Sequence, residues 1–304
     1  LSAAPKTKEE LNEVYSHSLY LVFRLMFVLN CEAKGLLKVD KQADYYSYSL
    51  RSLCVRLREE FEAGRTWSEQ PRTYNYIQDL FRLLKDGDGK IGIHGFGNEI
   101  FASGNPSFYE RNKIPDSILN KVLVELACAE DDEGSMKFID YKRLSADHLG
   151  SLFEGLLEFE PIFATEKLVN VNGVIKTWKD ATEKQRAKFK ESAISVGQLY
   201  LSSDSTERKN LGAYYTPDYV VDYIVRQALE PRLKGLKAEE VLNLKVIDPA
   251  MGSGHFLLGA VRYLEEATLD RMYAEGASGT GIDPQEVRWK ILHSCIHGVD
   301  INPL

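Results

Sequence analysis

Apolar residues recur through the first half of the chain at intervals of three and four, and each series is bounded by glycine, proline or serine. From Ser47, the positions Leu50, Leu53, Cys54, Leu57 and Phe61 keep helical spacing until Gly64, and Ile77, Leu80, Phe81 and Leu84 repeat the pattern up to Gly87. Ile118, Val122 and Leu126 after Pro115 read as the buried stripe of a third helix, and Leu149, Leu152, Phe153 and Leu156 after a cap at Ser145 as that of a fourth. The longest apolar run, Leu19 to Leu29, is interrupted by Arg24 and falls short of the ~20 residues a membrane span needs, so it reads as a buried helix. Ile91 to Phe101 and Met136 to Tyr141 are short strand or loop segments. In LVNVNGVIKTW, Asn172-Gly173 separates two β-prone runs, the signal of a type I′ hairpin. Lys176 to Leu199 is charged and reads as helical, and the polar stretch Ser202 to Asn210 is the expected domain junction.

From Gly212 the pattern changes to an alternation of helices and strands. Thr216 is read as a helix cap followed by Pro217 at the first helical position, with Val220, Val221, Ile224, Val225 and Ala228 lining that helix. A strand follows at Lys245 to Ile247, then a helix from Phe256 to about Tyr273, a helix from Pro284 to His293, and a strand at Ile296 to Ile301. This is the order of a doubly wound α/β sheet. The fold class expected is therefore α/β, with a mainly helical domain over residues 1–205 and the start of a Rossmann-like domain over 206–304.

Composition adds bounds. With 304 residues and 44% hydrophobic content the chain can bury a sizeable core, and two domains fit better than one. A formal net charge of -7 argues against non-specific coating of nucleic acid, which needs clustered Lys and Arg, although a local basic cleft is compatible with an acidic chain. Cys31, Cys54, Cys128 and Cys295 lack CxxC spacing and read as reduced core thiols. The N-terminal LSAAPKTKEELNE has no basic-then-apolar signal pattern, so the expected location is the cytoplasm, with no membrane association.

The candidate chemistry centres on DPAMGSGHFL from Asp248. An apolar strand ends there in a Gly-rich turn that runs into a helix, where an open α/β sheet holds a small ligand. Gly252 and Gly254 allow a tight turn and close backbone approach, and the helix start offers N–H groups to an amino-acid carboxylate. A dinucleotide fold is a poorer fit, because the third glycine of GxGxxG would fall on Leu257 and no acid lies about twenty residues on. A phosphate-binding loop is excluded because no GK[ST] follows. Asp300, at the end of the second strand, can accept both ribose hydroxyls of a nucleoside, or serve as an ordinary turn acid. Asp248 either holds an α-amino group through water or orders the loop.

GAYYTPDYVV from Gly212, DPAMGSGHFLLGA from Asp248 and GVDINPL from Gly298 resemble, in order, motifs X, I and II of the γ-class N6-adenine DNA methyltransferases of restriction-modification systems. LGSLFEGLLEFEP from Leu149 and YLVFRLMFVLNCEAKGLL from Tyr20 are similar to the connector region of bifunctional type IIG enzymes. The resemblance implies S-adenosyl-L-methionine as cofactor and double-stranded DNA as partner of the full-length parent. It also implies that Ala213, Tyr214, Thr216, Asp248, Pro249, Ala250, Gly252, Gly254 and Phe256 surround the methionine part, while Asp300 and Ile301 take the ribose and adenine. Family members carry a catalytic [DN]PP[YF] motif whose acceptors hold the target N6 amine and whose ring stacks on the flipped base. These 304 residues contain none, so the chain reads as one portion of a methylase, without an assigned catalytic residue or metal ligand and inactive alone. Rival readings are the modification subunit of a type I system, a phage-exclusion methylase, and a non-enzymatic module that keeps the fold as a scaffold.

Four further patterns bear on function. Pro115-Asp116 with Asp140-Tyr141-Lys142 satisfies a PD…(D/E)xK nuclease pattern, but Asp116 opens a helix and both acids read as structural. DGDGK from Asp86 lacks the glycine and glutamate of a calcium loop and reads as a turn. His293 and His297 lack a third metal ligand. Lys184, Arg186, Lys188 and Lys190 read as a solvated helix face interleaved with Glu183 and Glu191.

Overall fold

The computed structural model describes residues 7–39, 44–96, 98–101, 112–131, 134–157, 159–172, 174–202, 216–252, 254–276 and 283–300. The chain falls into two compact units, Leu1–Asp204 and Ser205–Leu304.

The N-terminal unit is built on α1 (Lys8–Ala33), α2 (Leu50–Glu62), α3 (Arg72–Asp86), the short α4 (Asn98–Phe101) and α5 (Asp116–Ala127). By length and hydropathy α1 could cross a membrane, yet Leu25, Val28 and Leu29 pack into a shared core with Leu53 and Leu57 of α2 and Ile77, Leu80 and Leu84 of α3. Its buried polar residues each hold another segment. Arg24 Nε donates to the Ile100 carbonyl at 2.7 Å, and Asn30 Nδ2 donates to the carbonyls of Tyr141 and Leu144 at 2.7 and 2.8 Å. Glu32 accepts from the Leu50 and Arg51 amides and from the Tyr45 hydroxyl, all at 2.8 Å, so a carboxylate from α1 caps the start of α2. Burial still raises the Glu32 pKa against those bonds, which lower it.

Two expectations here are corrected. In α5 the buried stripe is Leu119, Leu123, Val124 and Ala127, whereas Ile118 is 56% exposed and Val122 is also exposed. The run ILNKVLVEL supports two helical phases, and Asp116 decides between them by turning inward, where its Oδ1 accepts from the Thr73 amide at 2.8 Å and caps α3. Beyond β1 (Cys128–Glu130), β2 (Met136–Phe138) and α6 (Ala146–Leu157), the unit turns to strands, more of them than the single hairpin expected. Ser145 caps α6 as expected, accepting from the His148 amide at 3.1 Å, but Leu152 lies on its exposed side.

The strands are β3 (Glu160–Phe163), β4 (Leu168–Val171), β5 (Val174–Thr177), β6 (Ala193–Ile194) and β7 (Leu199–Ser202). β4 and β5 form the anticipated antiparallel hairpin with Val171 opposite Val174, and Asn172 takes the left-handed conformation at φ 53°. Gly173 lies outside the described residues. Within Lys176 to Leu199 only Glu183–Lys188 (α7) is α-helical. Lys176 belongs to β5 and Ala193–Ile194 to β6, paired to β4, because tertiary pairing overrides the weak helical signal of a charged stretch.

The C-terminal unit contains α8 (Asp218–Leu233), α9 (Ala238–Val241), β8 (Val246–Asp248), α10 (His255–Ala274), α11 (Pro284–Ser294) and β9 (Ile296–Gly298). β8 and β9 pair in parallel, with Val246, Ile247 and Asp248 opposite Ile296, His297 and Gly298. Parallel neighbours require a crossover, which α10 and α11 supply. The buried stripe of α8 is Val221, Val225, Leu229 and Leu233, and Ile224 and Ala228 fall off it. It packs on Ala260, Val261 and Leu264 of α10, with Val287 and Ile291 of α11. Gly259 makes the α8–α10 approach close: a Cβ there would stand 3.0 Å from Val221 Cγ1. All four cysteines are buried and free, and burial raises the Cys31 thiol to about 11.

Candidate functional site

The site lies where β8 ends. Asp248 closes the strand and folds its side chain back, Oδ1 accepting the Ala250 amide at 3.1 Å. That is the loop-ordering role, an Asx turn. Met251 N–H donates to the Val299 carbonyl at 2.9 Å, and Val299 N–H to the Asp248 carbonyl at 2.9 Å, so Val299, one residue past β9, ties the turn to the end of β8. Gly252 N–H donates to Asp300 Oδ2 at 2.8 Å, and Gly254 N–H donates to the Met251 carbonyl at 2.8 Å. Gly252 and Gly254 take φ of 53° and 81°, left-handed values that cost a residue with a Cβ about 1–2 kcal/mol each. A Cβ at Gly254 would enter open space, so it is this backbone conformation that asks for glycine there.

Asp248, Pro249, Ala250, Gly252, Gly254 and Asp300 therefore gather around one turn, and Phe256 follows in the first turn of α10, partly buried against the core. The structure differs from the sequence reading in how the turn's amides are used. Those of Ala250, Met251, Gly252 and Gly254 bond to the turn itself and to the β9 end. The first amides of α10 have no acceptor within the helix itself.

Thr216, expected as the cap, lies one residue ahead of the observed one. Pro217 is the cap residue, at φ -56° and ψ 144°, the helix starts at Asp218, and no side-chain bond caps it. Proline's missing N–H and fixed φ suit it to that entry. Ala213, Tyr214 and Ile301 lie outside the described residues.

Two contacts escaped the sequence reading. His255, the buried first residue of α10, has Nε2 3.0 Å from Asp218 Oδ1, the first residue of α8. Gly298 of β9 lies beneath Met251 and Leu257, where a Cβ would stand only 2.9 Å from Leu257 Cδ1 and would overlap the Met251 sulfur. A histidine directly after the Gly turn was the available signal for the first, and a glycine in mid-strand for the second.

The remaining patterns are occupied structurally. Asp116 caps α3, while Asp140 accepts the Lys142 amide at 3.2 Å and pairs with Arg143 at 3.0 Å. Asp88 accepts the Lys90 amide at 2.8 Å inside a tight turn. The His293 ring stacks on Trp289 at 4.0 Å between centroids. No group of three His, Cys, Asp or Glu among the described residues is arranged to hold a metal.

A parallel strand pair with a Gly turn and a carboxylate at adjoining strand ends is the nucleoside-binding arrangement of open α/β sheets. The N-6 DNA Methylase family model matches residues 198–303, starting one residue ahead of β7 and running through the whole C-terminal unit. The chain is 37% identical over 108 residues to the adenine-specific methyltransferase PglX of Streptomyces coelicolor, covering 36% of this chain and 8% of that protein. It is 30% identical over 92 residues to the type II restriction enzyme and methyltransferase RM.Eco57I of Escherichia coli, covering 28% and 9%. A putative type II restriction enzyme and methyltransferase of Methanocaldococcus jannaschii is 27% identical over 134 residues, covering 32% and 11%. The C-terminal third of the chain is thus similar to N6-adenine DNA methyltransferases of the restriction-modification type, and the chain spans about a tenth of the length of these relatives. No solved structure matches.

Proposed function

We propose that the C-terminal unit is the S-adenosyl-L-methionine-binding portion of a site-specific DNA adenine-N6 methyltransferase acting in the cytoplasm on double-stranded DNA, and that the N-terminal unit is its connector. The observation that carries this is Asp300 at the end of β9, 2.8 Å from the Gly252 amide of the turn that ends β8. The donor set fits the cofactor. Asp300 offers carboxylate oxygens to ribose hydroxyls, the first turn of α10 offers N–H groups to the amino-acid carboxylate, and Gly254 leaves open space above the turn. Thr216 immediately precedes Pro217, the cap of α8; the family resemblance adds Ala213 and Tyr214 to the methionine end and Ile301 to the adenine. When bound, the cofactor supplies a methyl group on a sulfonium.

These 304 residues hold no [DN]PP[YF] sequence, so the cofactor subsite is expected without the target-base subsite. Calorimetry with S-adenosylhomocysteine, paired with a tritiated-methyl transfer assay on mixed-sequence DNA, tests both halves. Binding without incorporation into adenine is expected. Lack of binding overturns the cofactor assignment, and incorporation shows that the chain contains a base site the sequence does not reveal.

A further inference from the structure

His255 and Asp218 are the first residues of α10 and α8, and each directly follows a segment assigned to the cofactor: Gly254 of the turn before His255, and Thr216-Pro217 before Asp218. Their side chains meet at 3.0 Å, with the His255 ring buried and the Asp218 carboxylate largely in solvent. One turn further along, the same helices approach closely: a Cβ at Gly259 would stand 3.0 Å from Val221 Cγ1 and 3.4 Å from Val225 Cγ2. The His255–Asp218 contact and the glycine contact are separate constraints on how the two helix starts approach one another. An acid at the first position of α8 also suits that helix's positive end.

We propose that His255 and Asp218 are a positioning pair that sets the distance between the Thr216-Pro217 segment and the Gly252–Gly254 turn, and so governs recognition of the amino-acid end of the cofactor. The proposal rests on the cofactor reading above. It assigns neither residue to ligand contact. Breaking the pair leaves the Asp300 end, which is held by β9, in place. The cost therefore falls on ligands with an amino-acid tail.

The test compares S-adenosylhomocysteine with 5′-methylthioadenosine, which has the adenosine but no amino-acid tail, by calorimetry on the 304-residue chain. His255→Phe is expected to weaken S-adenosylhomocysteine about fivefold, the loss of one polar contact to a largely exposed carboxylate, and methylthioadenosine less than about twofold. His255→Gln, whose amide reaches the position of Nε2, restores most of the loss. Asp218→Ala matches His255→Phe, and the double variant is no weaker than either single one. Retained methylthioadenosine binding shows that the variants are folded. An equal fall for both ligands, or no fall for either, overturns the positioning role while leaving the cofactor reading intact. Failure of the unsubstituted chain to bind either ligand overturns both.

Discussion

Replacing Asp300 with asparagine separates the observed turn-holding role of this carboxylate from the ribose-binding role proposed for it. Its Oδ2 accepts the Gly252 amide at 2.8 Å, tying the end of β9 to a turn that must hold φ of 53° and 81° at its glycines. An asparagine side chain keeps one carbonyl oxygen for that amide, so the turn retains its bond. What it loses is the second acceptor and the charge, and its NH2 group opposes a ribose hydroxyl donor. A charge-assisted hydrogen bond contributes roughly 1.5–3 kcal/mol, which corresponds to a loss of about ten- to a hundredfold in affinity. Asp300→Asn is thus expected to unfold at the wild-type temperature yet bind both S-adenosylhomocysteine and 5′-methylthioadenosine, each of which carries the ribose, roughly ten- to a hundredfold more weakly. Asp300→Ala should lose the turn bond as well and show a lower unfolding temperature. Calorimetry that gives Asp300→Asn wild-type affinity for both ligands would refute the ribose assignment and leave Asp300 as a turn residue alone.

Three other outcomes follow from the packing. Asp116→Ala should destabilise the N-terminal unit by about 1–2 kcal/mol through loss of the α3 cap, while Asp140→Ala changes denaturant stability little, and neither chain should cleave plasmid DNA with Mg²⁺ or Mn²⁺; cleavage abolished by Asp140→Ala would restore the nuclease reading. Gly298→Val should cost roughly 1–3 kcal/mol by overpacking against Met251 and Leu257, with partial recovery when Met251→Ala is added, and equal stability of the single and double variants in thermal unfolding would show that the contact does not form. Glu32→Ala strands the Tyr45 hydroxyl and the Leu50 amide in the core and removes the acceptor of the part-buried Arg51 amide, a loss of about 3 kcal/mol, and a change under about 1 kcal/mol in urea unfolding would mean that these groups find other partners.

The α/β alternation of the C-terminal unit was legible because its boundaries carry strong local chemistry. Gly252 and Gly254 adopt conformations that favour glycine, and Asp283, which accepts the Gln285 amide at 2.9 Å, caps a helix that opens with Pro284. The buried face of α5 was not legible. Ile118 and Val122 are as apolar as Leu119 and Leu123, and the choice between the two stripes is made by Asp116 reaching back to Thr73, forty-three residues earlier. Apart from the β4–β5 hairpin, the strands after Phe159 were hidden for a related reason. β7 owes its place to β3, where Leu201 lies opposite Pro161, and β6 owes its place to β4; neither two- to four-residue strand carries enough alternation to outweigh a neighbouring charged run.

At the candidate site, residue types were readable and their partnerships were not. Gly-rich turn and strand-end acids announce themselves locally, but the Gly252–Asp300 and His255–Asp218 contacts join residues far apart in sequence, with no period to reveal them. These contacts change the chemistry assigned to the turn. Were its amides free, ligand binding would order a loose loop and lose part of its free energy in doing so. With the amides of Ala250, Met251, Gly252 and Gly254 already bonded within the turn and to β9, the left-handed glycines are held before any ligand arrives. In the proposed reading, anion recognition falls to the first amides of α10, whose direction is set by the helix and whose position is constrained by the close packing of Gly259 on α8. A substitution that leaves the glycines intact but shifts α10 on α8 should therefore disturb the carboxylate end more than the adenosine end. The contrast between His255→Phe and Asp300→Asn measures that division: the first acts on one end of the ligand, the second on the other.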